Sequence, residues 1–332
     1  ILEERRSRRN AAWRLYEQNQ QYIFKGSKYA GCTVIGSQEN LETFKPESLV
    51  NFYRTWCRPD MQALIIVGDI HVEEVEGKIK GIFADIPAPV NPKPKEVIKV
   101  PDNVQPLIGI VTDPEASSSD VSFIWKSEAM PEEYNNTQIG LVQDILRDIV
   151  SNVMNERFQD ITAKAGAPFL DASFGAGNLC ETMDAVFADV TFKDGEALTA
   201  TEAMFTEVER MRRYGFSDSE IDRAKAEILS AYESASKKAE SRKNSEFVQP
   251  MIAHFFDNKA FMEPSTAYQM AGMIMEQLTP QVINQVANQM ITRENLVILY
   301  NGPEKAAKPT EEELAALVPK GQEADIDRLA GE

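Results

Sequence analysis

Histidine is scarce in this chain: His71 and His254 are its only two. An imidazole-rich metal cage therefore cannot be built from these residues alone. A serine or cysteine nucleophile needs a histidine base oriented by a third group, and neither histidine has that setting. His71, followed by Glu73 and Glu74, reads as a helix-start residue. His254 stands in an aromatic run, His254-Phe255-Phe256, and reads as a packed core residue. Cys32, Cys57 and Cys180 are odd in number and lack C-x-x-C spacing, so they form neither a disulfide framework nor a zinc knuckle. Gly175-Ala176-Gly177 reads as a turn between strands and does not open a helix, which argues against a phosphate loop. Met270, Met273 and Met275 lie at helical spacing and read as core. Two carboxylates remain, Glu3 and Glu4, beside Arg5, Arg6, Arg8, Arg9 and Arg14. Taken alone, that cluster is a solvated helix face.

The elements that must carry these residues come from an ordinary composition. Of 332 residues, 43% are hydrophobic and 26% charged, a length comfortable for two domains. The net charge of −17 argues against nucleic acid or an anionic membrane as partner. No apolar run approaches the ~20 residues that span a bilayer.

One unit occurs twice. LETFKPESLVNFYRTWCRPDMQALIIVGDI, from Leu41 to Ile70, is matched by MEQLTPQVINQVANQMITRENLVILYNGPE, from Met275 to Glu304. Each starts a helix at proline, where the missing N–H would be unpaired anyway, and ends an apolar strand at glycine. Pro46 to Gly68 and Pro280 to Gly302 are both 22 residues apart. Lining up the preceding helices pairs Ile1-Leu2 with Ile228-Leu229, Tyr22-Ile23-Phe24 with His254-Phe255-Phe256, and Glu4 with Ala231.

Between the copies, residues 86–106 hold six prolines and read as an extended linker. Before it the pattern predicts a thin-striped helix over residues 1–24, a loop over 25–45, and a helix over 72–84. After it come strands at 107–112 and 121–126, a helix over 132–163, half-buried strands at 169–175 and 185–192, and a helix over 197–213. Ser217 and Glu220 form a capping box for a helix running to about residue 243. Helices near 245–256, 265–276 and 280–290 precede a last strand at 296–300. The expected organisation is residues 1–85 as the back part of one domain, 86–100 as linker, 101–305 as a complete sister domain, and 306–332 as linker or tail. The opening at Ile1, inside a helix without a cap, reads as a fragment.

Several stretches resemble the pitrilysin or insulin-degrading family of zinc peptidases, the inverzincins. The carriers are Ile1-Leu2-Glu3-Glu4, Thr33-Val34-Ile35-Gly36-Ser37, and Pro46-Glu47-Ser48-Leu49-Val50-Asn51-Phe52-Tyr53 leading through Pro59-Asp60-Met61 to Val67-Gly68-Asp69-Ile70. Tyr214-Gly215-Phe216 with residues 217–229 is similar to the matching helix start of the second domain. The resemblance covers nearly the whole chain. It implies an α+β fold of tandem homologous domains, each a mostly antiparallel sheet packed against helices, the first truncated at its N-terminus.

The resemblance also implies a chemistry. An H-x-x-E-H helix binds zinc through two imidazoles while its Glu acts as general base, and a Glu from a later helix completes the site. No H-x-x-E-H or H-E-x-x-H lies between Ile1 and Glu332. The third ligand falls by resemblance on Glu4; Glu3 takes no carried-over role. The expected function is thus part of a zinc metalloendopeptidase that hydrolyses peptides in a clamshell chamber, with zinc in the full-length protein, none bound in this fragment, and no activity in the fragment alone. The partners implied are a peptide or unfolded polypeptide and the other half of the clamshell, from the same chain or a second subunit. The alternative within the family is a non-catalytic scaffold or partner subunit. Compartment stays open between periplasm and cytoplasm, and the resemblance tilts it to the periplasm.

Overall fold

The computed structural model describes residues 1–329. Helices α1 (Leu2–Arg8), α2 (Ala11–Ile23), α3 (Gln38–Thr43), α4 (Pro46–Trp56) and α5 (Val72–Phe83) form a front segment. The remainder is a lobe built on a five-stranded sheet: β1 (Leu107–Asp113), β2 (Ser119–Glu128), β3 (Asp171–Cys180), β4 (Met183–Phe192) and β5 (Leu296–Pro303). Its order is β1-β5-β2-β4-β3, with β1 and β5 parallel and every other pair antiparallel. The fold is α+β with a mostly antiparallel sheet.

Helices α6 (Gln138–Thr162), α7 (Ala197–Tyr214), α8 (Asp218–Lys237), α9 (Asn244–Asp257), α10 (Pro264–Gln277), α11 (Pro280–Met290) and α12 (Glu311–Glu323) complete the lobe. Strand alternation sorts the sheet into two faces. Val121, Phe123, Trp125, Val186, Ala188, Val190, Ile298 and Tyr300 point into the main core with α6, α7, α8, α10, α11 and α12. On α6, Ile145, Leu146, Ile149, Val150, Val153, Met154 and Phe158 are buried at three- and four-residue steps, the stripe a core-facing helix needs. Each such side chain contributes roughly 1.5–3 kcal/mol by leaving water. The opposite face, with Ile124, Ala185, Val297 and Leu299, is covered by Ile23 and Phe24 at the end of α2. The front segment therefore closes the sheet of the lobe behind it.

Several sequence expectations change. The first helix is two: Asn10 interrupts it, and its side chain accepts from the Trp13 N–H as the cap of α2. Residues 62–67 carry strand-like sequence yet form no strand, because among the described residues no backbone segment pairs with them; Leu64 and Ile66 are exposed. None of the residues of α3, α4 and α5 is buried. Gly175-Ala176-Gly177 is no turn; it lies within β3, opposite Phe187, Val186 and Ala185, on the sheet edge. The reading of 306–332 as linker or tail fails at α12. Leu314, Leu317 and Val318 of that helix are buried in the main core, and Arg213 donates to the carbonyls of Gly321, Gln322 and Ala324 at its end.

Candidate functional site

Glu4 lies in the first turn of α1, whose opening hydrogen bond runs from the Arg5 N–H to the Ile1 carbonyl at 2.8 Å. Carboxylates favour that end of a helix because the unpaired N–H groups carry partial positive charge. The spacing of the cluster then distributes partners. Glu4 pairs with Arg8 one turn on, 2.9 Å away, and its side chain stays half exposed. Glu3 accepts from Arg6 at 2.9 and 2.5 Å, and that guanidinium holds its carboxyl below the usual carboxylate range. Arg5 turns inward, donating to the Gly36 carbonyl at 3.1 Å and to Glu17 at 3.3 Å. It thereby ties the 25–37 loop against α1.

Beside Glu4 is a cavity of about 340 Å³, lined by Ile1, Glu4, Arg5, Arg8, Trp13, Val34, Ile35 and Leu41. Its apolar wall brings together two stretches that carried the resemblance, the start of α1 and the Thr33–Ser37 loop. Trp13 and Leu41 complete that wall, and neither was singled out from sequence.

The arginine cluster is only partly a solvated face. Arg14 crosses from α2 to the end of β1, where its Nε lies 2.6 Å from Asp113 Oδ2 and its Nη2 lies 2.7 Å from Oδ1. The same Nη2 donates to Glu115 at 2.6 Å. Asp113 is 3% exposed, and the guanidinium holds its carboxyl down to about 2. One and a half turns on, Asn19 donates to Asn301 at 2.9 Å, and Asn301 donates to Asp120 at 2.9 Å. These contacts set the helix that follows Glu4 rigidly on the sheet. The signal for Arg14 was its position five residues past the other arginines, on the face of Ala11 and Leu15.

A single exposed carboxylate suits one position of a zinc site, which takes oxygen, nitrogen or thiolate donors from three or four residues. Among the described residues, no group of three or more His, Cys, Asp or Glu side chains could hold a metal ion. Glu4 alone does not make such a site. His71 is the residue before α5 and makes no capping bond with its side chain. His254 is not packed in the core as its aromatic neighbours suggested. It is exposed on α9, with Nδ1 2.7 Å from the Lys259 carbonyl.

Among the described residues, no helix is long and apolar enough to cross a membrane. A family profile described as the peptidase M16 inactive domain matches residues 43–228. The chain is 21% identical over 293 residues to the probable zinc protease PqqL of Escherichia coli strain K12, covering 87% of this chain and 31% of that protein. It is 24% identical over 308 residues to the zinc protease PQQL-like of Arabidopsis thaliana, covering 92% of this chain and 29% of that protein. The chain thus spans less than a third of the length of these curated relatives. In fold it is similar to the first half of the periplasmic protease PqqL from Escherichia coli, with a TM-score of 0.86 at 19% identity over 98% of this chain and 70% of that one. It is also similar to the ferredoxin protease FusC, solved in complex with Arabidopsis ferredoxin, with a TM-score of 0.80 at 20% identity over 100% of this chain and 37% of that one. With more than half of its residues matched by that profile, the chain belongs to the peptidase M16 family, in the part described as its inactive domain.

Proposed function

We propose that the protein carrying this sequence is a zinc-dependent endopeptidase, and that Glu4 supplies the third protein ligand to its metal. The other two ligands and the general base would come from an H-x-x-E-H helix on a segment outside residues 1–332. The zinc would lower the pKa of its bound water to about 7 and so provide a nucleophile at neutral pH. The chain's own contribution is to present the carboxylate. The observation that carries the reading is the placement of Glu4: a half-exposed carboxylate at a helix start, over an apolar-walled cavity, on a segment pinned to the sheet through Arg14 and Asp113. The zinc-protease names of the relatives support it.

The substrate in this reading is a peptide or unfolded polypeptide, enclosed between this half and a second half from the same chain or another subunit. The neighbour solved with ferredoxin supports a protein substrate. The periplasm is the proposed compartment, on the strength of the PqqL neighbours. The 332-residue chain by itself would not cleave peptides, since it lacks the H-x-x-E-H helix.

The test is zinc content and peptide cleavage by the full-length protein and its Glu4→Gln variant. Loss of a direct ligand is expected to weaken zinc by at least ~100-fold, the upper range for loss of a mere outer partner. Unchanged zinc content in Glu4→Gln removes Glu4 from the site. A full-length protein that binds no zinc favours the alternative, a non-catalytic scaffold or partner subunit of the same family. Zinc-dependent cleavage by the 332-residue chain alone would overturn the reading.

A further inference from the structure

Helix α1 carries Glu4, yet none of its residues is buried. Ile1, Glu4, Arg5 and Arg8 line the cavity of about 340 Å³, so the helix borders open space where packed side chains would otherwise hold it. At seven residues it gains little from its own hydrogen bonds and depends on contacts with the rest of the fold. It is also separate from α2, because the chain turns at Arg9 (φ −82°, ψ 62°) and Asn10 caps the next helix. The direction in which α1 points is therefore set largely by polar contacts.

Those contacts divide by where they lead. The pairs Glu3–Arg6 and Glu4–Arg8 begin and end on α1, so they stiffen the helix without placing it. Arg14 donates to the Arg9 carbonyl at 2.7 Å and holds only the junction. From the helix itself, Arg5 reaches out to the Gly36 carbonyl at 3.1 Å and to Glu17 Oε1 at 3.3 Å. The other oxygen of that carboxylate, Oε2, accepts from Arg9 Nε at 3.3 Å. Glu17 thus spans the break, with one oxygen on the guanidinium before it and the other on the guanidinium at it. Its side chain is 16% exposed and that of Arg5 11%, which keeps most water away from the contact. Glu17 sits on α2 between Arg14 and Asn19, whose bonds to Asp113 and Asn301 fasten that helix to the sheet.

We propose that Glu17 is the positioning residue of Glu4: by gripping Arg5 and Arg9 together it sets the angle of α1 on α2 and so aims the carboxylate. Glu17 does not line the cavity and acts through the two arginines. Glu17→Gln keeps the shape of the side chain and removes the charge that holds two guanidinium groups. Arg5 then keeps only the Gly36 carbonyl, α2 keeps its bonds to the sheet, and α1 swings about residues 9–10. The inference rests on the reading of Glu4 as a zinc ligand and adds the device that places it.

The test uses the full-length protein and its Glu17→Gln variant. In the zinc-free state, hydrogen exchange over residues 5–9 is expected to rise several-fold in the variant, while exchange over residues 11–23 and the melting temperature stay unchanged. Zinc should bind about 10-fold more weakly, the lower end for loss of an outer partner. The visible absorption bands of the cobalt-substituted protein should shift, and kcat should fall with KM unchanged. Arg5→Met, which cuts the same link from the other side, should reproduce these changes. Equal exchange over residues 5–9 in Glu17→Gln and wild type overturns the proposal. So does faster exchange with the zinc affinity and cobalt spectrum of the wild type, which makes Glu17 a structural contact only. Glu4→Gln separates the two readings. Weakened zinc in Glu4→Gln with unchanged zinc in Glu17→Gln refutes this inference alone, whereas unchanged zinc in both refutes the assignment of Glu4 as well.

Discussion

Arg14 and Asp113, 99 residues apart, face each other through two parallel hydrogen bonds of 2.6 and 2.7 Å. This fork–fork geometry is the strongest form of a carboxylate–guanidinium contact. It joins the helix after Glu4 to the strand at the sheet's edge, so the position of the candidate ligand depends on it. Asp113 has a folded-state pKa of about 2, below the unfolded value near 3.9. Its contribution is complete above about pH 4 and is lost as pH falls through about 2. Asp113→Asn should remove that acid-side dependence, and hydrogen exchange over residues 11–23, followed from pH 5 to pH 2, measures it. An unchanged profile in the variant would show that α2 docks by apolar contacts alone.

Gly109→Ala tests the apolar half of the same joint. The added methyl meets Tyr22 Cδ2 and Cε2 and Leu299 Cδ2 at 2.9 Å. Such overpacking costs about 1–3 kcal/mol, and here the ring on α2 is what must move. Thermal unfolding should show the loss, and limited proteolysis should cut the 24–37 loop faster than in the wild type.

Within the lobe, Arg157 and Glu220 form a buried pair at 2.6 and 2.9 Å, with Arg157 also bonded to the Gly215 carbonyl and lying 5.0 Å from the Phe216 ring centre. Glu220 doubles as the carboxylate of the capping box that starts α8. Removing the guanidinium leaves the Glu220 carboxylate buried, at a cost of about 3–5 kcal/mol. Arg157→Ala should destabilise by that order, Glu220→Ala should also destabilise, and the double variant should lose less than the sum of the two. Chemical denaturation of the four proteins closes the cycle.

Leu314→Ala tests whether α12 is part of the lobe. The side chain is fully buried, and such truncations cost about 2–5 kcal/mol. A chain ending at residue 305 should melt lower still, because it uncovers the α7 surface under Leu314, Leu317 and Val318. Equal melting temperatures for the truncated and intact chains would restore the linker reading.

Most of the lobe was readable. Its strands alternate, its helices bury one stripe, and Ser217 with Glu220 marks the start of α8 as the pattern requires. Pro46 and Pro280 each open a helix of eleven residues, as the matched stretches led one to expect. What escaped was set by partners distant in the chain. Residues 62–68 have strand sequence and, among the described residues, no neighbour to pair with. Arg14 looked solvated until Asp113 came to it. α12 was masked by its acidic opening, Glu311-Glu312-Glu313, although Leu314, Leu317 and Val318 stand at helical spacing. The Glu4 assignment came from likeness to known sequences; neither its charge neighbours nor its spacing could have supplied it.

Strand β5 sits between β1 and β2, yet it begins at residue 296, far behind both in the chain. During synthesis the ribosome therefore delivers the two flanking strands well before the one that joins them. Until then β1 and β2 must wait with facing backbone edges unpaired, a state prone to association. Folding should accordingly be slow for this size, limited by one distant closure. Sequence changes that hasten nascent aggregation are expected to concentrate on those two waiting edges, even where the finished protein would tolerate them.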